Sequence, residues 1–388
     1  MKAQVLLVAL LALLVGSPLF GLPTMIRLGY PNCVSCHYAP QGGGLLNLYG
    51  RGIDQAQSLR GGEYAPAIGA FFRALNAGGR ITQDLRSIGQ ESTSSSLGQP
   101  WPSVFRDRAY YRNVTTFGKG FRVSVIALGE TLSTSRPDRA YDRAIVPGYF
   151  SLNSALLQYR PKDNLEFAIG RDLLPSGVYV SDLTTFVKAR NRIGYYDTPT
   201  QLKVFWWKKR YQIAPFLFAP SGHEAPGQKE YGGGALAEFD VLGHQRTIVG
   251  ANVLHAAANK GDRQMVGVYT RLGFGKWGIL AEHDVTDRSF AASAISPNSA
   301  VTPVSFRQQA SYGQVFWAAR EWLVPSLTAE RLTVEKPYAE RLTAGRVDVA
   351  FRLASQITVS VNFRMQKNMI NGVWSPSAGV QIALKTVK

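Results

Sequence analysis

The chain has 388 residues, with 43 lysines and arginines against 26 aspartates and glutamates, which gives a formal net charge of +17. Only two cysteines are present, so a framework of several disulfides is excluded as the source of stability. A basic balance of this size would suggest nucleic acid as a partner, but the export signal described next argues against one and favours anionic lipids, anionic solutes or an acidic redox partner.

The first 21 residues have the organisation of a secretory signal peptide. Lys2 is followed by an apolar stretch of 11 residues, Val5 to Val15, and then by small residues before Pro23. This stretch is shorter than the roughly 20 residues of a membrane-spanning helix, and no comparable apolar run follows. We therefore expect an exported chain in which residues 1–21 are removed and no transmembrane helix remains.

Residues 33–37 read Cys-Val-Ser-Cys-His, the pattern in which two thiols form thioether bonds to haem and the histidine binds the iron. We predict one covalent haem c, attached at Cys33 and Cys36, with His37 as the proximal ligand. The alternatives are a disulfide, a redox-active dithiol or a chance match. Zinc would need about four ligands, and the chain has no second cysteine pair.

A second axial ligand is harder to identify, because the first methionine after Met25 is Met265. Met265 is the leading candidate, since it shares the predicted inward parity of Tyr269 and Arg271. An open sixth position is also compatible with the sequence. The other candidates are His223, His244, His255, His283 and Met25.

From about residue 76 onward, segments of about ten residues alternate apolar with polar side chains. In residues 356–366, Val359, Val361 and Phe363 fall on one face, whereas Ser360 and Arg364 fall on the other. This period of two residues predicts an all-β fold.

The connections distinguish a membrane barrel from a soluble sandwich. Seven short turns alternate with about eight long links, which implies about 16 antiparallel strands. Aromatic residues flank the short turns, as in the interfacial girdle of an outer-membrane barrel; they include Phe117, Phe121, Trp206, Trp207, Tyr211, Phe274, Trp277, Trp317 and Trp322. We predict a haem c segment at residues 22–66, inside or at the mouth of a porin-like transmembrane β-barrel at residues 67–388.

The haem motif and its surroundings resemble the fused cytochrome-porins, a family that includes outer-membrane iron(II) oxidases. The resemblance covers about residues 23–52, and Met25-Ile26 and the insertion at residues 42–44 depart from the family pattern. For Asn47 and Arg51 it leaves two possibilities, contact with haem propionates or the barrel wall, or ordinary turn chemistry. The residues that carry the resemblance are Arg27, Gly29, Leu46, Asn47, Tyr49, Gly50 and Arg51.

This resemblance implies electron transfer across the bacterial outer membrane, in contact with its lipid. An iron(II):cytochrome c oxidoreductase would oxidise extracellular iron(II), or another external donor, and reduce a periplasmic c-type cytochrome or other carrier. Carboxylates such as Glu282, Asp284 and Asp287 are candidates for presenting iron to the haem. The alternatives are electron export to external acceptors, and a diffusion porin or anion channel lined by Arg271, Arg346, Arg352 and Arg364.

Overall fold

The computed structural model describes most of the chain. It describes residues 23–30, 32–41, 45–59, 80–94, 103–134, 149–178, 185–194, 197–221, 229–258, 261–290, 304–337, 339–354 and 357–385. The predicted signal peptide, His223 and the insertion at residues 42–44 lie outside these ranges.

The described residues form a closed antiparallel barrel of 16 strands, in which every strand pairs with its neighbours in the sequence and β1 pairs with β16. The predicted strand number and fold class are confirmed. The strands are Ile81–Ser94 (β1), Ser103–Gly118 (β2), Phe121–Thr134 (β3), Tyr149–Lys162 (β4), Leu165–Arg171 (β5), Thr200–Trp207 (β6), Tyr211–Ala219 (β7), Tyr231–Asp240 (β8), Thr247–Ala258 (β9), Gly261–Phe274 (β10), Trp277–Phe290 (β11), Val304–Trp317 (β12), Leu323–Val334 (β13), Glu340–Ala354 (β14), Ile357–Asn368 (β15) and Trp374–Lys385 (β16).

The seven connections that follow the even-numbered strands all lie at one end of the barrel and are two to six residues long. We call this the hairpin end and the opposite end the loop end. Most links at the loop end are longer, but the β9–β10 link there is only two residues long, so the predicted alternation of short turns and long links is not complete. At the β2–β3 turn, Gly118, Lys119 and Gly120 all have positive φ, which a tight hairpin requires and glycine tolerates without strain. Closure leaves no unpaired strand edge, so the backbone polar groups are satisfied within the sheet, as a lipid environment demands.

Each strand has one face toward the barrel interior and one face outward. In β10, Met265 and Tyr269 are buried in the lumen, whereas Val266 and Val268 are more than half exposed on the outer surface. The same alternation holds in β15, where Ser360 is buried and Phe363 is exposed. The period of two residues therefore separates a polar interior from an apolar exterior.

The aromatic residues at the hairpin end form a girdle as predicted, with one exception. Trp277 and Trp317 stack with ring centroids 5.8 Å apart, and Trp206 meets Tyr211 edge-on at 5.2 Å. Trp207, also assigned to the girdle from the sequence, is buried in the lumen because it follows Trp206 in the same strand and must point to the other face.

Helices are few in the described ranges. The N-terminal segment, residues 23–59, contains 3-10 turns at Pro23–Leu28 and Cys33–Ser35 and one α-helix, Leu48–Ala56 (α1). A single π-helical turn, Phe186–Arg190, lies in the link between β5 and β6. Within the ranges listed above, no helix is long and apolar enough to cross a membrane.

Candidate functional site

The N-terminal segment sits in the lumen at the hairpin end. Arg27 forms an ion pair with Glu321 in the β12–β13 turn, and the backbone of Arg27 packs directly against Gly273 near the end of β10. At its other end, the Leu59 amide donates to the carbonyl oxygen of Arg352, 2.8 Å away in β14. These contacts lie on neighbouring strands, and a distant part of the wall is reached through Tyr38, whose carbonyl oxygen accepts from Arg122 in β3, 3.2 Å away.

The Cys-Val-Ser-Cys-His motif forms one helical turn inside this segment. The amides of Cys36 and His37 both donate to the Cys33 carbonyl oxygen, at 3.1 and 2.9 Å. His37 also forms an isolated β-bridge with Leu46, and its side chain is only 4% exposed. This turn fixes the backbone of both cysteines and the histidine inside the barrel, and the predicted haem attachment stays a prediction.

Asn47 fastens α1 to the motif. Its side-chain oxygen accepts from the Gly50 amide at 2.8 Å and so caps α1, while its side-chain nitrogen donates to the Ser35 carbonyl at 3.1 Å. Its own amide donates to the Cys36 carbonyl at 2.9 Å. Asn47 therefore caps α1 and also hydrogen-bonds the backbone of the motif. The predicted contact of Asn47 with a haem propionate stays a prediction.

Gly50 gives α1 its close approach to the motif. A Cβ atom built on Gly50 would overlap the carbonyl oxygen of Cys36, whereas one on Gly52 would meet nothing within 4 Å. Gly50→Ala should therefore force α1 away from the motif at a cost of about 1–3 kcal/mol. Gly52→Ala, the matched control, should stabilise α1 by up to about 1 kcal/mol. Limited proteolysis of the folded protein would measure both; equal protection of the N-terminal segment in the two variants would contradict the packing role.

Arg51 and Met265 occupy different surroundings. The Arg51 amide donates to the Asn47 carbonyl at 3.0 Å, and the side-chain Nε of Arg51 is enclosed with no acceptor among the described residues.

Met265 is 1% exposed in an apolar cluster with Leu174 and Phe218. Six residues of β10, about 20 Å, separate it from Arg271 beside Cys33. This position does not support Met265 as the sixth ligand of the haem iron.

The other candidate sixth ligands are not gathered at the motif. His255 and His283 face outward, and His283 Nδ1 lies 2.8 Å from the Ser311 hydroxyl. His244 is exposed in the β8–β9 turn, and the Met25 sulfur accepts a weak hydrogen bond from Gln57 at 3.7 Å. In the part of the chain that the structure describes, no group of three or more His, Cys, Asp or Glu residues could hold a metal ion.

Cys33 faces a buried charged group on the wall. Desolvation raises the pKa of the Cys33 thiol to about 11, an effect that the nearby Arg271 partly opposes, and burial also raises the pKa of Cys36. The two cysteines are not joined in a disulfide. Reactive dithiols require a lowered thiol pKa, so these surroundings argue against a dithiol redox centre.

The described residues of the link between β5 and β6 fold into the lumen above the N-terminal segment. We call these residues, 172–178, 185–194 and 197–199, the inner loop. Lys188, 2% exposed, forms an ion pair with Glu282 at 2.9 Å, and the Val178 amide donates to the same carboxylate at 2.9 Å. Asn191 donates to Asp284 at 2.8 Å. Glu282 and Asp284, considered from the sequence as external carboxylates for iron, therefore lie inside the barrel and fasten this loop.

Two cavities flank the motif. One, of about 480 Å³ including its open mouth, is lined by Cys33, Arg271 and inner-loop residues that include Leu174. The other, of about 860 Å³, reaches Tyr38 and Leu45 on either side of the His37 bridge. With two thiols and an imidazole on one turn and the enclosed Arg51 Nε nearby, these residues fit haem c.

The inward arginines proposed for an anion channel are engaged by other groups. Arg271 pairs with Glu238 at 2.7 Å, Arg346 with Asp348 at 2.9 Å, and Arg364 with Glu330 at 3.2 Å. Arg352 donates to Gln57 of the N-terminal segment. Three of these four arginines are therefore paired with carboxylates and the fourth with a side-chain amide.

Solved porins share this architecture. OmpT of Vibrio cholerae, as a loop L8 deletion mutant, is 10% identical with a TM-score of 0.57, covering 79% of this chain and all of that one. The anion-selective porin from Comamonas acidovorans is 11% identical (TM-score 0.55; 79% and 100% covered), and OprB of Pseudomonas putida at high pH is 11% identical (0.57; 82% and 97%). No family model and no curated protein matches the chain. The similarity shows that this chain has the fold of porin-like outer-membrane barrels.

Proposed function

We propose that this outer-membrane barrel carries one haem c at Cys33 and Cys36, with His37 on the iron, and transfers electrons between the outside and a periplasmic carrier. The observation that carries the proposal is the Cys-Val-Ser-Cys-His turn itself, enclosed in the lumen between the hairpin end and the inner loop. Short turns face the periplasm in barrels of this class, so the motif lies on the periplasmic side of the inner loop.

Haem c, when bound, supplies one-electron redox chemistry, so that iron(II) outside would lose one electron to become iron(III) and an oxidised carrier would gain it. The protein's own residues hold and shield this site. Asn47 and α1 fix the motif backbone, the inner loop covers it from the loop end, and the wall supplies the Arg271–Glu238 pair beside Cys33.

The first test is made on the purified, mature protein. Mass spectrometry should show the mass of the polypeptide plus one haem, and the visible spectrum should change from the oxidised to the reduced c-type form when iron(II) is added without oxygen. A polypeptide without added haem mass would overturn the whole proposal. A spectrum unchanged by iron(II) at several pH values, but reduced by another donor, would overturn only the choice of iron(II).

The Arg271–Glu238 pair should tune the potential of this site in opposite directions. A positive charge near haem favours the reduced form, so Arg271→Gln should lower the midpoint potential and Glu238→Gln should raise it. We expect shifts of about 40 mV each, which for one electron correspond to about 1 kcal/mol. A spectroscopic redox titration would measure both; shifts of the same sign would show that repacking, rather than charge, is responsible.

A diffusion porin is the second candidate, favoured by the porin architecture. The N-terminal segment bridges the lumen from the β12–β13 turn to β3, and the inner loop crosses it further out, so we expect little steady current through the intact protein. Planar-bilayer recording separates the two candidates. A large, steady anion current through the haem-loaded protein would favour the channel over the electron-transfer role.

A further inference from the structure

We propose that the hairpin end is a docking surface for an acidic, soluble electron carrier, with an apolar centre supplied by the N-terminal segment and a basic ring supplied by the short turns. This inference rests on the proposed electron transfer and adds the place and the chemistry of the periplasmic partner. It is carried by the contacts and exposure of residues outside the haem motif.

The basic ring is made by the tips of the hairpins. Among the described residues of these turns, eight exposed lysines and arginines stand against two exposed carboxylates, Asp163 and Glu321. Glu321 is itself paired with Arg27. The basic members are Lys119, Lys162, Lys208, Lys209, Arg210, Arg246, Lys276 and Arg320. A cluster of one sign at one end of the molecule attracts a partner of the opposite sign and speeds its encounter.

The apolar centre is supplied by the N-terminal segment, which contacts the β8–β9 turn, the β12–β13 turn and the end of β14. Leu48 is 78% exposed, Tyr49 52%, Leu59 51% and Leu28 37%, although all four belong to the segment that enters the lumen. The ring and the centre are contiguous, because a Cβ on Gly29 would lie 3.8 Å from Arg246 Nε. An apolar centre surrounded by a polar rim is the usual anatomy of a protein interface.

The centre is also one residue away from the proposed haem attachment. Leu48 begins α1 directly after Asn47, and Asn47 bonds the carbonyl groups of Ser35 and Cys36. A carrier seated on Leu48 and Tyr49 would therefore be separated from the motif by a single layer of protein. Such a short separation is what electron exchange between two proteins needs, and small interfaces are typical of these transient complexes.

Anionic phospholipid headgroups are the alternative partner for the basic ring. The positions of the basic and apolar residues favour an acidic protein over these headgroups. Lys208 lies over the rings of Trp206 and Tyr211, 5.5 and 5.9 Å from their centroids, and so belongs to the girdle beside the lipid. Leu48 and Tyr49, in contrast, belong to the segment inside the ring of strands, where lipid does not reach. Headgroup binding would explain the ring but not the apolar centre.

The test measures binding to the oxidised protein in phosphatidylcholine nanodiscs, without any electron donor. The probes are an acidic soluble c-type cytochrome and, for comparison, a basic mitochondrial cytochrome c. Lys209→Glu combined with Lys276→Glu reverses two charges of the ring. Lys229→Glu combined with Arg341→Glu, on exposed residues of the loop end, is the matched control. Leu48→Gln probes the apolar centre.

We expect the acidic cytochrome to bind in preference to the basic one and more weakly as salt is raised. The ring variant should bind it roughly tenfold more weakly at low salt, with a smaller difference at high salt, and the control should match the unmodified protein. Leu48→Gln should weaken binding roughly three- to tenfold while leaving the salt dependence unchanged.

Equal binding of the two cytochromes, or equal binding by the ring variant and its control, would overturn the docking surface. So would a ring variant that keeps its cytochrome affinity but loses a preference for phosphatidylglycerol discs, since the ring would then bind headgroups. Reduction of the haem by iron(II) is scored separately. The binding measurements can therefore overturn the docking surface while the proposed electron transfer stands. Conversely, the iron(II) measurement can overturn the choice of iron(II) while the docking surface stands.

Discussion

Replacing Cys36 by alanine is expected to remove the covalent haem and, with it, the response to external iron(II), while leaving the barrel inserted. Cys36 supplies one of the two thiols that the attachment motif needs. The Cys36 side chain is small and 8% exposed. The barrel closes through strand pairing that does not involve Cys36. The c-type absorption and the haem mass should both fall to background in the purified protein.

Ser35→Ala is the control for this change, because Ser35 lies between the cysteines and its backbone carbonyl, rather than its hydroxyl, accepts from Asn47. It should keep the haem. Heat-modifiable migration on a gel would show that both variants are folded barrels. Covalent haem retained by folded Cys36→Ala at the level of Ser35→Ala would contradict the assignment of the motif.

The barrel could be predicted because its determinants are local. A strand with one lipid face must alternate, as Val359, Val361 and Phe363 do against Ser360 and Arg364, and a tight hairpin needs turn residues such as Gly118 and Gly120. These patterns repeat along the chain and reinforce one another. Even where a single residue was misassigned, as with Trp207, the correction follows from the same period of two residues.

The interior could not be predicted in this way. Lys188 and Glu282 are 94 residues apart in the sequence and Phe186 and Glu330 are 144 apart, so no local pattern indicates that the inner loop folds inward onto β11 and β13. The sequence offers Glu282 as a carboxylate that could present iron, because nothing local indicates that this loop buries it. The packing role of Gly50 does not follow from the sequence either, although Gly50 is one of the residues that carry the family resemblance and follows Asn47 by three positions.

Glu282→Ala is expected to release the inner loop from the wall. The change would leave the Lys188 ammonium group buried without its carboxylate and would also remove the acceptor for the Val178 amide. Breaking one side of a buried ion pair typically costs about 3–5 kcal/mol. If this cost falls on the loop, amide hydrogen exchange at Val178 and Phe186 should accelerate roughly hundredfold or more, while strand amides keep their protection.

Two comparisons make this prediction specific. Asp287→Ala removes a carboxylate from the same strand, but its partner Arg307 is half exposed at 2.8 Å, and exposed pairs contribute only about 0–1 kcal/mol. The double variant Lys188→Met with Glu282→Gln removes both buried charges and should recover much of the protection, because the penalty in Glu282→Ala comes from the isolated ammonium group. Unchanged exchange in Glu282→Ala would mean that other contacts hold the loop. Equally fast exchange in the double variant would show that the isolated ammonium group is not what releases the loop, since glutamine keeps an oxygen that can accept from the Val178 amide.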